Sequence, residues 1–394
     1  MSAAECSWGE AVARAAGAAV AVPPVVVPLT GAIGDSGTVG AIGTVLAQNA
    51  CARSDLPAAD TSAMDGWAVA GPPPWQVVGQ ILAGQRRPDA ARLAAGQAVG
   101  IATGAAVPAG TTAVLRREHG QLDASKVLRP RGSAPEAGTD VRSAGAECRR
   151  GEVVLPAGSE LAAVALGLLA AAGLDEVSVR RVRADVLILG DELLTSGPAR
   201  DGRLRDALGP LLSAWIPGRG VEIASARRVP DQVDPLRTAL LATRGDVVVT
   251  TGSTARGPVD HLHAILEDLG ARLVVDGVAV RPGHPQLLAV LADGRPLVGL
   301  PGNPLAAVSG LLTLFDPLVR TLRGQQPAPV RHGVLAVDVP AGPEATRLLP
   351  VRDGHPVMFA GPAMLRGLAT ADAVAVIPPG GATAGTPLPL LTVP

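Results

Sequence analysis

Between residues 181 and 325, short apolar segments alternate with helical ones, and few folds satisfy that pattern. The apolar segments are 184–189, 221–226, 246–250 and 296–300, and the helical patterns cover 204–215, 235–242, 258–269 and 304–322. A strand that is apolar on both sides must be covered on both faces, which is the condition of a parallel sheet between two layers of helices. Such sheets take their ligands beyond the carboxyl ends of the strands. The loops after Leu189, Thr250 and Leu300 lie at such ends, so chemistry is expected there.

The flanking sequence has a different character. Residues 55–137 read as short strands broken by Pro72-Pro73-Pro74 and Pro130-Arg131-Gly132-Ser133, an inserted all-β module. Residues 1–54 and 138–180 read as one linker and dimerisation region, with a helix near 11–22 and another over 160–172. The second helix is apolar all round, with Gly173 placed to end it, and is expected to be buried at a domain or subunit junction. Residues 326–394 read as a C-terminal β module. The expected fold is therefore multidomain α/β and β, a doubly wound, mostly parallel α/β domain with β modules on either side.

Composition removes several function classes. The net charge is -1, from 34 basic and 35 acidic residues, so nothing global attracts a nucleic acid. Aromatics make up 2 %, with no Tyr, which argues against rows of stacking side chains for bases. Three cysteines without a C-x-x-C pair suit free thiols in a reducing compartment, hence the cytoplasm. The apolar stretch 11–27 is interrupted by Arg14 and Pro23-Pro24, and is read as neither a signal peptide nor a membrane span.

Six short motifs can carry chemistry. Ser62-Ala63-Met64-Asp65-Gly66 sets one acid in a turn, where Asp-Gly also suits an ordinary turn. Ala102-Thr103-Gly104 offers a hydroxyl and backbone N–H groups at a corner, suited to an anion or a metal-bound water. Gly190-Asp191-Glu192 follows a strand, where acids hold phosphate-bridging metals or complement a helix dipole. Thr251-Gly252-Ser253-Thr254, running to Asp260, is rich in glycine and hydroxyls and reads as a phosphate cradle, while Asp260 equally suits a helix cap. Arg281-Pro282-Gly283-His284 puts two potential cations on one rigid turn, an oxyanion site. Pro301-Gly302-Asn303-Pro304 opens the backbone after a buried strand.

In this order the motifs resemble the MoeA and gephyrin E-domain family across nearly the whole chain; collinearity, rather than any one motif, carries the likeness. The resemblance implies an elongated homodimer of four-part subunits with a MogA-like α/β domain. It implies hydrolysis of adenylylated molybdopterin and insertion of molybdate into the released dithiolene, helped by a divalent ion, usually Mg²⁺. The upstream adenylyltransferase and acceptor molybdoenzymes are the implied partners, with no nucleic acid and no membrane. The implied catalytic residues are Asp65, Thr103, Glu192 and Asp260, and the implied metal ligands are Asp65, Glu147, Glu192 and Asp260. Substrate and oxyanion binding fall to Thr251, Gly252, Ser253, Arg281, His284, Pro301, Gly302, Asn303 and Pro304.

The chain departs from the family pattern at several places. An acidic pair after Gly145 is Ala146-Glu147 here, an Asp-Ser/Thr-Asn start is Asp206-Ala207-Leu208, and two lysines of a Lys-Pro-Gly-Lys-Pro turn are Arg281 and His284. With one lysine in the whole chain, Lys126, the Arg exchange follows composition; His284 differs, because imidazole can be neutral near pH 7. The competing expectations are a divergent paralogue that binds a pterin or nucleotide but inserts metal poorly, and a dimeric scaffold. The retained acids weigh against the scaffold.

Overall fold

The computed structural model describes residues 5–29, 40–82, 84, 92–254, 261–326 and 329–394. The alternating region forms a six-stranded sheet. Its elements are β1 (Val182–Leu189), α1 (Leu208–Gly218), β2 (Val221–Val229), α2 (Val233–Leu241), β3 (Val247–Thr251), α3 (His261–Asp268), β4 (Arg272–Asp276), β5 (Leu287–Val290) and β6 (Pro296–Leu300). A long helix follows, α4 (Pro304–Leu322). The strand order is β2-β1-β3-β6-β5-β4. The first four strands are parallel, and β5 and β4 are antiparallel additions that the sequence pattern did not separate from loop. β1 and β3 are neighbours whose onward connections leave in opposite directions, so the topological switch lies between Leu189 and Thr251.

Most of β1 is buried, including the charged Asp185, and the sheet solves that locally. Asp185 accepts the N–H groups of Arg244 and Gly245, both at 2.6 Å, and the Ser225 hydroxyl. One carboxylate thus pins β1 to β2 and to the turn entering β3.

Helix α1 starts later than its apolar pattern. Leu204–Arg205 pairs with Leu193–Leu194 as a short parallel ribbon, and Asp206 then accepts the Gly209 N–H at 2.9 Å, capping the helix. α4 is long and apolar enough to cross a bilayer by composition, yet 78 % of its apolar window is buried within the protein. Its middle turn, Leu311–Phe315, is a π-turn. Pro317 follows and has no N–H for the Thr313 carbonyl, which gives a physical reason for the widened turn.

The N-terminal helix Trp8–Ala16 opens with a capping box between Ser7 and Glu10 and buries Ala11 and Ala15 against α4. Its neighbour Cys6–Ser7 pairs with Val278–Arg281, which in turn pairs with the C-terminal strand Thr346–Arg352. The first block of the sequence is therefore divided. Residues 6–22 join the α/β core, and Val27, Leu29, Ala41, Leu46, Ala50 and Ala52 share a second core with Leu161, Leu169 and Val179.

The β module is a six-stranded sheet ordered Gly120–Leu122, Val127–Pro130, Trp75–Ile81, Gln97–Ile101, Gly66–Val69 and Ala113–Arg116. The C-terminal sheet contains Arg331–Val334, Thr346–Arg352, Ala373–Ile377 and Pro387–Leu391. Its first strand is Arg331–Val334, and Leu335 and Val339 beyond it are buried in the module's core.

The expected apolar helix forms as Ala163–Ala171, and Gly173 follows it at φ +86° as a left-handed stop. Only Leu169 of this helix is buried, and Val164 is 85 % exposed.

Asp185 supplies a stability test. Burial raises its pKa, but the hydrogen bonds from Ser225, Gly245 and Arg244 outweigh burial and hold it below the usual value. A depressed carboxyl pKa stabilises the fold above the unfolded value, near pH ~3.9, and that stability is lost as pH falls through the folded pKa. Asp185→Asn is expected to cost about 2 kcal/mol at pH 7 by weakening charge-assisted bonds. Denaturant unfolding should show this deficit shrinking below about pH 4; an equal deficit at pH 7 and pH 3 would contradict it.

Candidate functional site

Three loops meet at the carboxyl edge of the sheet. The loop after β1 begins with Gly190 at φ +133°. A Cβ there would stand 2.9 and 3.0 Å from the two carboxylate oxygens of Glu192, so glycine is what lets the Glu192 head fold back over the strand end. The Glu192 side chain remains exposed, facing solvent at the switch point.

The loop after β3 is tied to both neighbours. Thr251 Oγ1 accepts the Leu189 N–H at 3.3 Å, and the Gly252 N–H donates to the Leu300 carbonyl at 2.9 Å. Ser253 sits at φ +50° and its hydroxyl donates to Asp231 Oδ1 at 2.5 Å. The hydroxyls expected to line a phosphate cradle are thus engaged with other protein groups. Thr251 is buried and braces the strands, and the Ser253 hydroxyl is held by Asp231. Asp231 was absent from the expected site, although an acid directly after the strand-ending Val229-Pro230 was a usable signal. Asp260 lies outside the described residues.

The loop after β6 leads into α4, with Asn303 as N-cap and Pro304 at the first helical position. Gly302 and Asn303 are exposed, and Gly302 sits beside Gly252, 3.9 Å separating a Cβ at the first from the Cα of the second. Neither of their N–H groups bonds to another described residue. The next two N–H groups, of Leu305 and Ala306, both donate to the Pro362 carbonyl, at 2.9 and 3.2 Å. The C-terminal module thus caps part of the helix end, leaving Gly302 and Asn303 as its open donors. No feature of the sequence around Pro362 announced this.

The Arg281–His284 turn packs on the first turns of α4, where a Cβ at Gly283 would meet the Ala306 carbonyl at 2.9 Å. Buried Gln286 holds the turn by donating from Nε2 to the Gly283 carbonyl at 2.9 Å. Arg281 is exposed. His284 turns its Nδ1 back, 3.1 Å from the Val278 carbonyl and 3.2 Å from Glu5 Oε1. Of the two potential cations on this turn, His284 is thus engaged on one nitrogen and has a carboxylate beside it.

Of the remaining acids, Asp65 sits on the β module and Glu147 on the linker region. Asp65 Oδ1 accepts both the Thr103 N–H at 2.7 Å and the Thr103 hydroxyl at 2.9 Å. The corner expected to offer free donors to an anion has spent two of them on its own carboxylate. The Thr103 N–H, then the Thr103 hydroxyl, hold the Asp65 carboxyl below the usual range, so it is ionised at neutral pH. Glu147 is exposed, and its N–H donates to the Leu56 carbonyl at 2.9 Å. Because Val141–Arg142 runs antiparallel to Thr61–Ser62, the ladder carries Glu147 away from Asp65 rather than toward it. Among the described residues, no three His, Cys, Asp or Glu side chains gather closely enough to hold a metal ion.

This is a multidomain α/β protein with an open switch point, coupled to a β module that carries an ionised acid. A family model described as the MoeA N-terminal region (domain I and II) matches residues 7–173, and one described as a probable molybdopterin binding domain matches residues 185–321. The molybdopterin molybdenumtransferase of Haemophilus influenzae is 31 % identical over 291 residues, covering 72 % of this chain and 71 % of that protein. That of Synechococcus elongatus is 31 % identical over 306 residues, covering 73 % and 74 %. A crystal structure of a molybdopterin biosynthesis MoeA protein from Pyrococcus horikoshii shares the fold, with TM-score 0.78 at 21 % identity over 98 % of this chain and 99 % of that one. The chain belongs to the MoeA family.

Thr103→Val removes one of the two donors on Asp65 and leaves the other. The Asp65 carboxyl should then titrate at higher pH than in the wild type, measured by carboxyl-carbon NMR. Superimposable titration curves would show that the Thr103 hydroxyl does not set the charge of Asp65.

Proposed function

We propose that the protein is a molybdopterin molybdenumtransferase that hydrolyses adenylylated molybdopterin and inserts molybdate into the released dithiolene. The observation that carries this reading is the open pair of N–H groups at Gly302 and Asn303. They stand at the N-terminus of the buried helix α4 and beside the switch point, where backbone donors and the helix dipole favour a phosphate. Arg281 supplies a permanent positive charge for phosphate or molybdate. Glu192, over the end of β1, and Asp65, kept ionised by Thr103, orient a water or take a proton during hydrolysis, with Asp260 as a third acid. A divalent ion such as Mg²⁺, if used, would need carboxylates drawn from more than one module.

Asp65 and Glu147 lie on a different module from Glu192 and Gly302, so the reading includes a homodimer in which one protomer's β module faces its partner's α/β module. Support comes from the Ala163–Ala171 helix, whose outer face is apolar and exposed in one protomer. The cytoplasm, with the upstream adenylyltransferase and acceptor molybdoenzymes as partners, completes the proposal.

Complementation of a bacterial strain lacking the insertion enzyme tests the function directly. The wild-type chain should restore molybdoenzyme activity, and Asp260→Asn should not, while its thermal midpoint stays unchanged. Full rescue by Asp260→Asn would remove that residue from the mechanism, and failure of the wild type would remove the reading. Sedimentation should give a dimer at micromolar concentration, with Val164→Glu shifting it toward monomer. Arg281→Ala should weaken molybdate binding about fivefold, for the loss of one charge worth about 1 kcal/mol in a partly solvated site. His284→Ala should weaken it less, because its Nδ1 already faces Val278 and Glu5. Equal losses by calorimetry would mean that His284 reaches the anion after all.

A further inference from the structure

Residues 357–367, in the C-terminal module, combine features that packing does not account for. Phe359 is one of two phenylalanines in a chain without tyrosine; the other, Phe315, is fully buried. Trp75 and Trp215 are buried, and Trp8 and Trp67 are half-buried. Phe359, at 43 % exposure, therefore carries the most solvent-open ring among the Phe and Trp residues. Met358 and Met364, on the same loop, are 76 % and 47 % exposed. Three exposed large apolar side chains, among them the one exposed Phe or Trp ring of the described residues, thus share one loop.

The loop is nevertheless held in place. Pro362 accepts two N–H groups from the first turn of α4, and Ala360 and Leu365 pack against the α/β core. A Cβ at Gly367 would run into the carbonyls of Met358 and Phe359, so the chain folds tightly back on itself there. Phe359 sits at φ +61°, a conformation costly for a bulky side chain. Such outliers persist where the surroundings impose them, and they gather at ligand sites. The Arg366 guanidinium lies 4.5 Å from the ring centroid, covering one face of Phe359. Two residues separate Phe359 from Pro362, a Cα–Cα span of at most roughly 11 Å, so Phe359 lies within that reach of the residue whose carbonyl caps α4.

We propose that Phe359, backed by Arg366, is a stacking platform that receives a planar heteroaromatic ring of the substrate beside the phosphate-seeking end of α4. The proposal rests on the function given above, whose substrate carries two such rings, a pterin and an adenine, joined through phosphates. Phosphate at Gly302 and Asn303 with a ring on Phe359 would fix the substrate at two points. Flat heteroaromatic rings stack on an aromatic side chain whatever their hydrogen-bonding edges, and the flanking methionines add polarisable apolar contact.

The test uses the full-length chain and two probes, AMP and a free pterin, titrated separately by calorimetry and by quenching of pterin fluorescence. Phe359→Ala should weaken binding of one probe about tenfold, and Phe359→Trp should restore it or improve on it. Thermal midpoints of both variants should match the wild type, because the ring is exposed; a loss of affinity that tracks a loss of stability and is not rescued by Trp would overturn the platform. Weakening of AMP alone would seat the adenine there, and weakening of the pterin alone would seat the pterin. Equal affinities in wild type and Phe359→Ala, or a wild type that binds neither probe, would also overturn it. Complementation separates this from the function itself: a chain that rescues while Phe359→Ala binds normally keeps the function and loses the platform. A chain that fails to rescue but loses ring binding on Phe359→Ala keeps the platform and loses the function.

Discussion

The burial of α4 constrains most of the molecule. Its first turn donates to Pro362 of the C-terminal module, and its flank receives the Gly283 turn. Its last turn accepts the Val22 N–H at 2.8 Å, and the neighbouring Arg323 reaches the Gly43 carbonyl at 2.6 Å and Glu160 at 3.3 Å. Trp8 donates to Thr313 at 3.1 Å within its widened middle turn. One buried helix thus meets the N-terminal helix, the linker region, the α/β sheet and the C-terminal sheet. A helix buried this deeply cannot slide without breaking contacts in all of them, so the open donors at its N-terminus are presented by a rigid element.

Much of this was legible because it follows from periodicity. Continuous apolar runs marked β1, β2, β3 and β6, and their carboxyl ends located Glu192, Gly252 and Gly302 correctly on one edge. Elements set by tertiary capping were not legible. The pattern extended α1 back to Leu204, but Asp206 captured the Gly209 N–H and left Leu204–Arg205 to pair as a ribbon. β4 is bounded by Arg272 and Asp276 and β5 is only four residues long, and the ladder from β4 through β5 to β6 makes them strands. In the site, residue type was readable but donor accounting was not. Thr103, Thr251 and Ser253 all carry the expected hydroxyls, yet each is committed to another protein group. Sequence identifies which groups can bind an anion, and geometry decides which remain free to do so.

The same accounting separates Arg281 from His284. Both were read as cations on one rigid turn, and the turn is rigid, with Gln286 fastening Gly283 beneath it. A guanidinium offers five donors and keeps its charge, so Arg281 is exposed and available whatever its neighbours do. An imidazole has two nitrogens, and His284 spends one on the Val278 carbonyl with Glu5 close by. The exchange of a lysine for histidine at this position therefore changes direction as well as charge. The site can be expected to lean on Arg281 and on the helix end for its anion.

Apart from Glu192, which stands over the end of β1, the site residues proposed above fall into an anion-seeking half and an anionic half. Gly302, Asn303 and Arg281 favour negative charge, and they belong to the α/β module and its border with the C-terminal sheet. Asp65 on the β module and Glu147 on the linker region are negative, and Thr103 holds Asp65 in its ionised form before any ligand arrives. Hydrolysis of a phosphoanhydride needs both halves, one to hold the phosphate and one to steer a water or a proton. Keeping them on separate modules has a physical advantage. A carboxylate fixed permanently beside the anion-binding donors would compete with the substrate for them, as Asp231 already does for the Ser253 hydroxyl. In the proposed dimer, the acid arrives from the partner, and the apolar face of Ala163–Ala171 supplies a reason for the two protomers to meet.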